Sequence, residues 1–105
     1  MTRIRLTRRS GAIVRVEAEG HSGYADAGAD IVCAAVTASF RLICAQLDLL
    51  PAESRIEQDE RRAYLSVSTD DRRANLIFEG FAELMRELSD EYPENISVME
   101  VEQNA

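Results

Sequence analysis

The chain has 105 residues and a mass of 11.7 kDa, which accommodates a single domain, 1–105, and leaves no room for a second. Apolar residues at 46% supply a normal core and charged residues at 30% a soluble surface, a balance that excludes a disordered chain. A net charge of −7 disfavours contacts to phosphate backbones, so nucleic acid is not expected as a partner, although all 12 basic residues are arginine.

Residues 3–8 and 12–19 alternate apolar with polar around a turn at Arg9, Ser10 and Gly11, which predicts a β-hairpin. In the second run Ile13 is out of phase with Val14, Val16 and Ala18, and the latter three are expected to face inward. Residues 20–30 carry Gly20, Gly23 and Gly28 among small and polar neighbours and read as a mobile loop. Asp30 then makes an N-cap for a helix reaching about Leu50, where Pro51 stops it. That helix is apolar nearly all round. In so short a chain this points to burial on more than one side, and hence to a homodimer interface.

Ser54–Gln58 and Ala63–Ser68 are expected as strands around a charged turn at 59–62. From Asp71 to about Tyr92 a second helix carries Ile77, Phe81, Leu84, Met85 and Leu88 as its apolar stripe. Pro93 ends it, and Ile96, Val98 and Val101 mark a last strand. The order is ββαββαβ, an α+β sheet with two packed helices. No apolar run is expected to reach the ~18 residues that a bilayer span needs, and Met1–Arg9 alternate rather than forming a secretion signal. The expectation is a cytoplasmic protein with no membrane partner. Two cysteines within one helix do not make a disulfide framework.

The chemistry concentrates in the segment GHSGYADAGADIVCAAV, residues 20–36, which holds the only histidine, His21, twelve positions before Cys33. A thiolate and an imidazole are the minimum apparatus of a cysteine hydrolase. If Asp30 caps the helix, Cys33 lies in its first turn, where unpaired N–H groups and the positive end of the dipole favour an anion. Helix N-termini and nearby imidazolium groups both lower a cysteine pKa from about 8.5. The backbone amides of Cys33 and Ala34 would then be candidates to stabilise an oxyanion. The residues by themselves leave a second reading open, in which Cys33 is a core thiol and His21 is solvated. Cys44 reads as structural. A redox role is weaker because the chain has no C-x-x-C pair, and one histidine with two cysteines falls short of a zinc site.

Gly20-His21-x-Gly23-Tyr24, Gly28 and Asp30-Ile31-Val32-Cys33-Ala34-Ala35-Val36-Thr37 together resemble the signature of the ribosomal-processing cysteine protease family, Prp. Length and element order are also similar to the family, including Tyr92-Pro93 before the last strand. The resemblance implies a homodimeric endopeptidase, free of metal or other cofactor. Its substrate would be large ribosomal subunit protein twenty-seven, from which it removes an N-terminal extension. By position, His21 would be the base and Cys33 the nucleophile. Asp30 would stand beside the helix to orient or cap, Thr37 where a serine is usual, and Gly20, Gly23, Tyr24 and Gly28 along the substrate loop. Ser22 replaces the more usual alanine. The alternative is a non-catalytic module of the same fold that binds ribosomal protein without cutting it.

Overall fold

The structure, a computed structural model, describes residues 1–20 and 27–103, with positions 27–30 as backbone alone. Strand β1 (Thr2–Arg9) and strand β2 (Ala12–Glu19) form the expected hairpin. Helix α1 (Ala27–Leu49), strands β3 (Arg55–Asp59) and β4 (Tyr64–Ser68), helix α2 (Asn75–Glu91) and strand β5 (Ile96–Glu102) follow, so the order is ββαββαβ as expected. The five strands make one sheet in the order β3-β4-β2-β1-β5. All neighbours are antiparallel except β1 with β5.

Topology fixes where the helices lie. The crossovers β2-α1-β3 and β4-α2-β5 join parallel strands that point in opposite senses, and they run toward opposite edges. With the usual right-handed crossover, both helices therefore land on the same face of the sheet. Burial agrees: Ile4, Leu6, Val16 and Val67 of the sheet, Val32, Phe40 and Leu47 of α1, and Phe78, Phe81 and Met85 of α2 form a single core. Phe40 and Phe81 meet edge-on, with ring centroids 4.9 Å apart. On the opposite face Tyr64 donates its hydroxyl to Glu17 at 2.6 Å and accepts from Arg15 at 2.8 Å, which braces β2 against β4.

Several local expectations need correction. The inward phase of β2 switches because Thr7 pairs with Arg15 while Arg8 pairs with Ile13, so Val14 is the extra residue of a β-bulge. Ile13 is buried and Val14 only half-buried. The second helix does not begin at Asp71, whose carboxylate caps a short 3-10 turn, Arg72–Ala74, ahead of α2. The buried stripe of α2 is Phe78, Phe81, Ala82, Met85 and Leu88, rotated so that Leu84 is exposed and Ile77 sits at the margin. Finally, Ile31–Leu49 is by length and composition long and apolar enough to cross a membrane, contrary to expectation. In this fold, however, its Val32, Val36, Phe40, Ile43 and Leu47 are spent on the core.

Candidate active site

The same topology gathers one set of segment ends at one end of the sheet. β1 starts there, β2 and β3 finish there, and α1 begins and α2 ends there. The β3–β4 connection closes the set. Its Asp59 accepts from the Arg61 N–H to start a 3-10 turn over Glu60–Arg62, and Ala63 ends that turn in the left-handed region, φ 48°. This is the end from which the chain leaves β2 toward His21 and returns as α1.

Helix α1 begins at Ala27, three residues before the expected cap. Gly28 and Asp30, placed by the sequence in a loop and at the cap, are helical, and Cys33 is the seventh helical residue rather than the third. The reason is compositional: Ala27, Ala29 and Asp30 offer no barrier to helix extension, and one glycine costs a helix only about 1 kcal/mol. A consequence follows for the expected oxyanion donors. The amides of Cys33 and Ala34 lie beyond the first turn, where N–H groups are committed to carbonyls four residues back.

Cys33 is half-buried, between fully buried Val32 and exposed Ala34. Thr37 is exposed one turn further on. Helical periodicity stacks positions 30, 33 and 37 along one side of α1. His21, Gly23 and Tyr24 fall outside the described residues, as do positions 21–26 of the mobile loop expected over 20–30, whose positions 27–30 are helical instead. Cys44 packs against the core, and burial, then the nearby Asp48 carboxylate, push its thiol pKa up. That suits a structural thiol.

Gly20, the last described residue before His21, is held closely. Its backbone adopts φ +82°, and a Cβ built on it would lie 2.7 Å from the Met1 carbonyl oxygen, so only glycine fits. Its N–H donates to the Ala63 carbonyl at 3.1 Å. Next to it, Arg62 reaches Glu19 at 3.3 Å and lies over the Tyr64 ring. A glycine following a strand was visible in the sequence; the approach of Met1 and of the 59–64 turn was not, because both are distant along the chain.

Two cavities lie away from Cys33. A polar cleft of about 670 Å³ at the opposite end of the sheet is lined by Arg9, Arg15, Arg55, Glu53 and Asp70 among others. An apolar groove of about 280 Å³ runs between α1 and α2 past Leu42, Leu76, Gly80 and Leu84. Among the described residues no three His, Cys, Asp or Glu side chains converge as a metal site would require.

Comparison with known proteins bears on this arrangement. A family model described as cysteine protease Prp matches residues 1–97. SMU.848 from Streptococcus mutans has the same fold, with a TM-score of 0.86 at 28% identity, over 98% of this chain and 96% of that one. The ribosomal processing protease Prp from S. aureus in complex with a substrate peptide gives 0.84 at 24% identity, over 96% of this chain and 100% of that one. The same protease with a covalently linked product peptide gives 0.82 at 24% identity, with the same coverage. At that identity the likeness to the S. aureus protease is one of fold. No curated protein was found to match the chain. With the family model extending from the first residue into β5, and every strand and helix in the expected order, the chain belongs to the Prp family of cysteine proteases.

Proposed function

We propose that this protein is a cytoplasmic cysteine endopeptidase that removes an N-terminal extension from large ribosomal subunit protein twenty-seven, with Cys33 and His21 as its catalytic dyad. The observation that carries the reading is the position of Cys33. It is a half-buried thiol near the start of α1, at the sheet end from which the chain departs for its only histidine. Family membership supplies the reaction class.

In the proposed mechanism His21 takes the Cys33 thiol proton and the thiolate attacks the scissile carbonyl carbon, making a C–S bond and an oxyanion. Collapse of that intermediate breaks the C–N bond as His21 returns the proton to the leaving amine. His21 then deprotonates a water that attacks the thioester, which releases the acid and restores the thiol. No metal or cofactor enters these steps. The chain's net charge of −7 favours a basic peptide of the kind a ribosomal protein offers.

We also propose a homodimer formed through the groove between α1 and α2, because Leu42, Leu76 and Leu84 stay 59%, 82% and 40% exposed there. The test of function is cleavage of a synthetic peptide spanning the extension junction of the host's ribosomal protein. Cys33→Ser and His21→Ala each abolish cleavage with the fold intact, because members of a dyad act as a unit. Peptide binding without cleavage by the native protein would establish the binding-module alternative instead.

A further inference from the structure

Cys33 sits on the side of α1 that faces one edge of the sheet. Helix α2 packs on β2 and β5 and so spans β1 between them, which leaves α1, beside it on the same face, over the β4–β3 side. Ser39, Leu42, Ile43 and Gln46 are the α1 residues that line the groove to α2. At 3.6 residues per turn, Cys33, Thr37 and Cys44 fall on the other side of the helix, the side turned toward β3. That strand is an edge. Among the described residues it pairs with β4 alone, so the outer N–H and C=O groups of its backbone are open to a further strand. Register fixes which way its side chains point. Ile56 lies opposite Val67 and Gln58 opposite Leu65, and because Val67 belongs to the core, Ile56 and Gln58 share the helix-bearing face. Both are exposed, Ile56 at 57%. Arg55, Glu57 and Asp59 take the outer face. Glu57 comes no nearer than 3.9 Å to Arg15 and its side chain is 61% exposed, which leaves its charge open to a newcomer.

We propose that the substrate peptide binds as an extended strand added to the free edge of β3, its side chains alternating between the α1 side and the outer face. The inference rests on the endopeptidase reading above and names how that substrate is held. Main-chain bonds to β3 give affinity, and the two faces give selectivity. On the helix side, every second residue of the peptide meets Ile56, Gln58 and the flank of α1 that carries Cys33, where an apolar side chain fits Ile56. On the outer side, the residues between meet Glu57 and Asp59, which suit lysine or arginine. Strand β3 finishes at the end of the sheet where α1 begins, so a peptide running along it arrives at the part of α1 that holds Cys33. A second copy suits this edge less, since pairing β3 with itself about its centre sets Glu57 against Glu57. The other edge, β5, is separated from the Cys33 side of α1 by α2, and its Glu100 is tied to Arg8 and Arg86.

The probe is the synthetic peptide spanning the extension junction, labelled with fluorescein and bound to Cys33→Ser protein, which holds it uncut. Cleavage by the native protein is read in parallel. Versions of the peptide carry a single N-methyl group at successive backbone nitrogens. An added strand turns every second N–H toward β3 and the others to solvent, so we expect Kd to rise about 10-fold at alternate positions and to stay within about two-fold at those between. Ile56→Asp should raise Kd about 10-fold and Glu57→Lys about 5-fold, both with native thermal melts. Met99→Asp on β5, where Met99 is 53% exposed, should change nothing. Methylation effects that do not alternate, or native affinity in a folded Ile56→Asp variant, overturn the added strand. Loss of the dimer in Ile56→Asp at native peptide affinity gives the edge to a second copy and overturns it equally. If Ile56→Asp does not fold, the methylated series decides by itself, because it leaves the protein unaltered. Cleavage by the native protein with a flat series removes the added strand and keeps the protease. An alternating series without cleavage keeps the strand and removes the endopeptidase, and a peptide that does not bind removes both.

Discussion

Replacing Leu42 with aspartate separates association from folding. The side chain is 59% exposed on α1, so the protomer loses little on its own, whereas a partner covering the groove meets a charge in place of an isobutyl group. Full burial of a leucine side chain is worth roughly 1.5–3 kcal/mol. Scaled by the exposed shares of Leu42, Leu76 and Leu84, covering the groove contributes about 3–5 kcal/mol per protomer, and about twice that in a two-fold contact. Losing Leu42 from both protomers removes about 2–3.5 kcal/mol, which raises the dimer Kd by about 30- to 300-fold before any cost of desolvating the carboxylate. Sedimentation velocity at micromolar concentration reads the outcome: native protein at twice 11.7 kDa and Leu42→Asp at 11.7 kDa, with matching circular dichroism. A native monomer, or a variant still dimeric at the same concentration, refutes the groove as the interface.

Other consequences follow from the core, the ion pairs and the second thiol. Phe40→Ala removes a fully buried ring and its edge contact with Phe81, and should cost about 3–5 kcal/mol in urea unfolding; a loss under about 2 kcal/mol would mean the two helices do not bear on each other as described. Arg8 grips Glu79 with two hydrogen bonds of 2.9 and 3.0 Å, and this pairing holds the Glu79 pKa below its ordinary 4.5. A carboxylate lowered in the folded state stabilises the fold above its unfolded pKa and loses that contribution as pH falls through the folded value. Stability should therefore decline from about pH 4.5 downward, and Glu79→Gln should flatten that limb in urea melts taken across the range; an unchanged limb counts against the pairing. Cys44→Ala should cleave at the native rate, since its thiol packs on the core away from the reaction; loss of cleavage there, with activity retained in Cys33→Ser, would reverse the two assignments.

What the sequence determined by itself is what depends on neighbours along the chain. Alternation in residues 3–8 and 12–19, the 3.6-residue period of the second helix, and Pro51 and Pro93 as stops gave the elements and their order. The spacing within residues 20–36 singled out His21 and Cys33, and resemblance gave the family. The tertiary structure decided what depends on distant partners. The bulge at Val14 arises from pairing with β1 and reverses which of Ile13 and Val14 is buried. Which apolar positions of α2 face inward follows from how α1 and the sheet meet it, so Leu84 stays out and Phe78 goes in. The start of α1 escaped because Asp30 is as good a cap as any, yet the alanines before it let the helix grow past it. Gly20 shows the same division: its presence is a local fact, but the need for it comes from the approach of Met1, and no local pattern records that Met1 and Ala63 will meet it there.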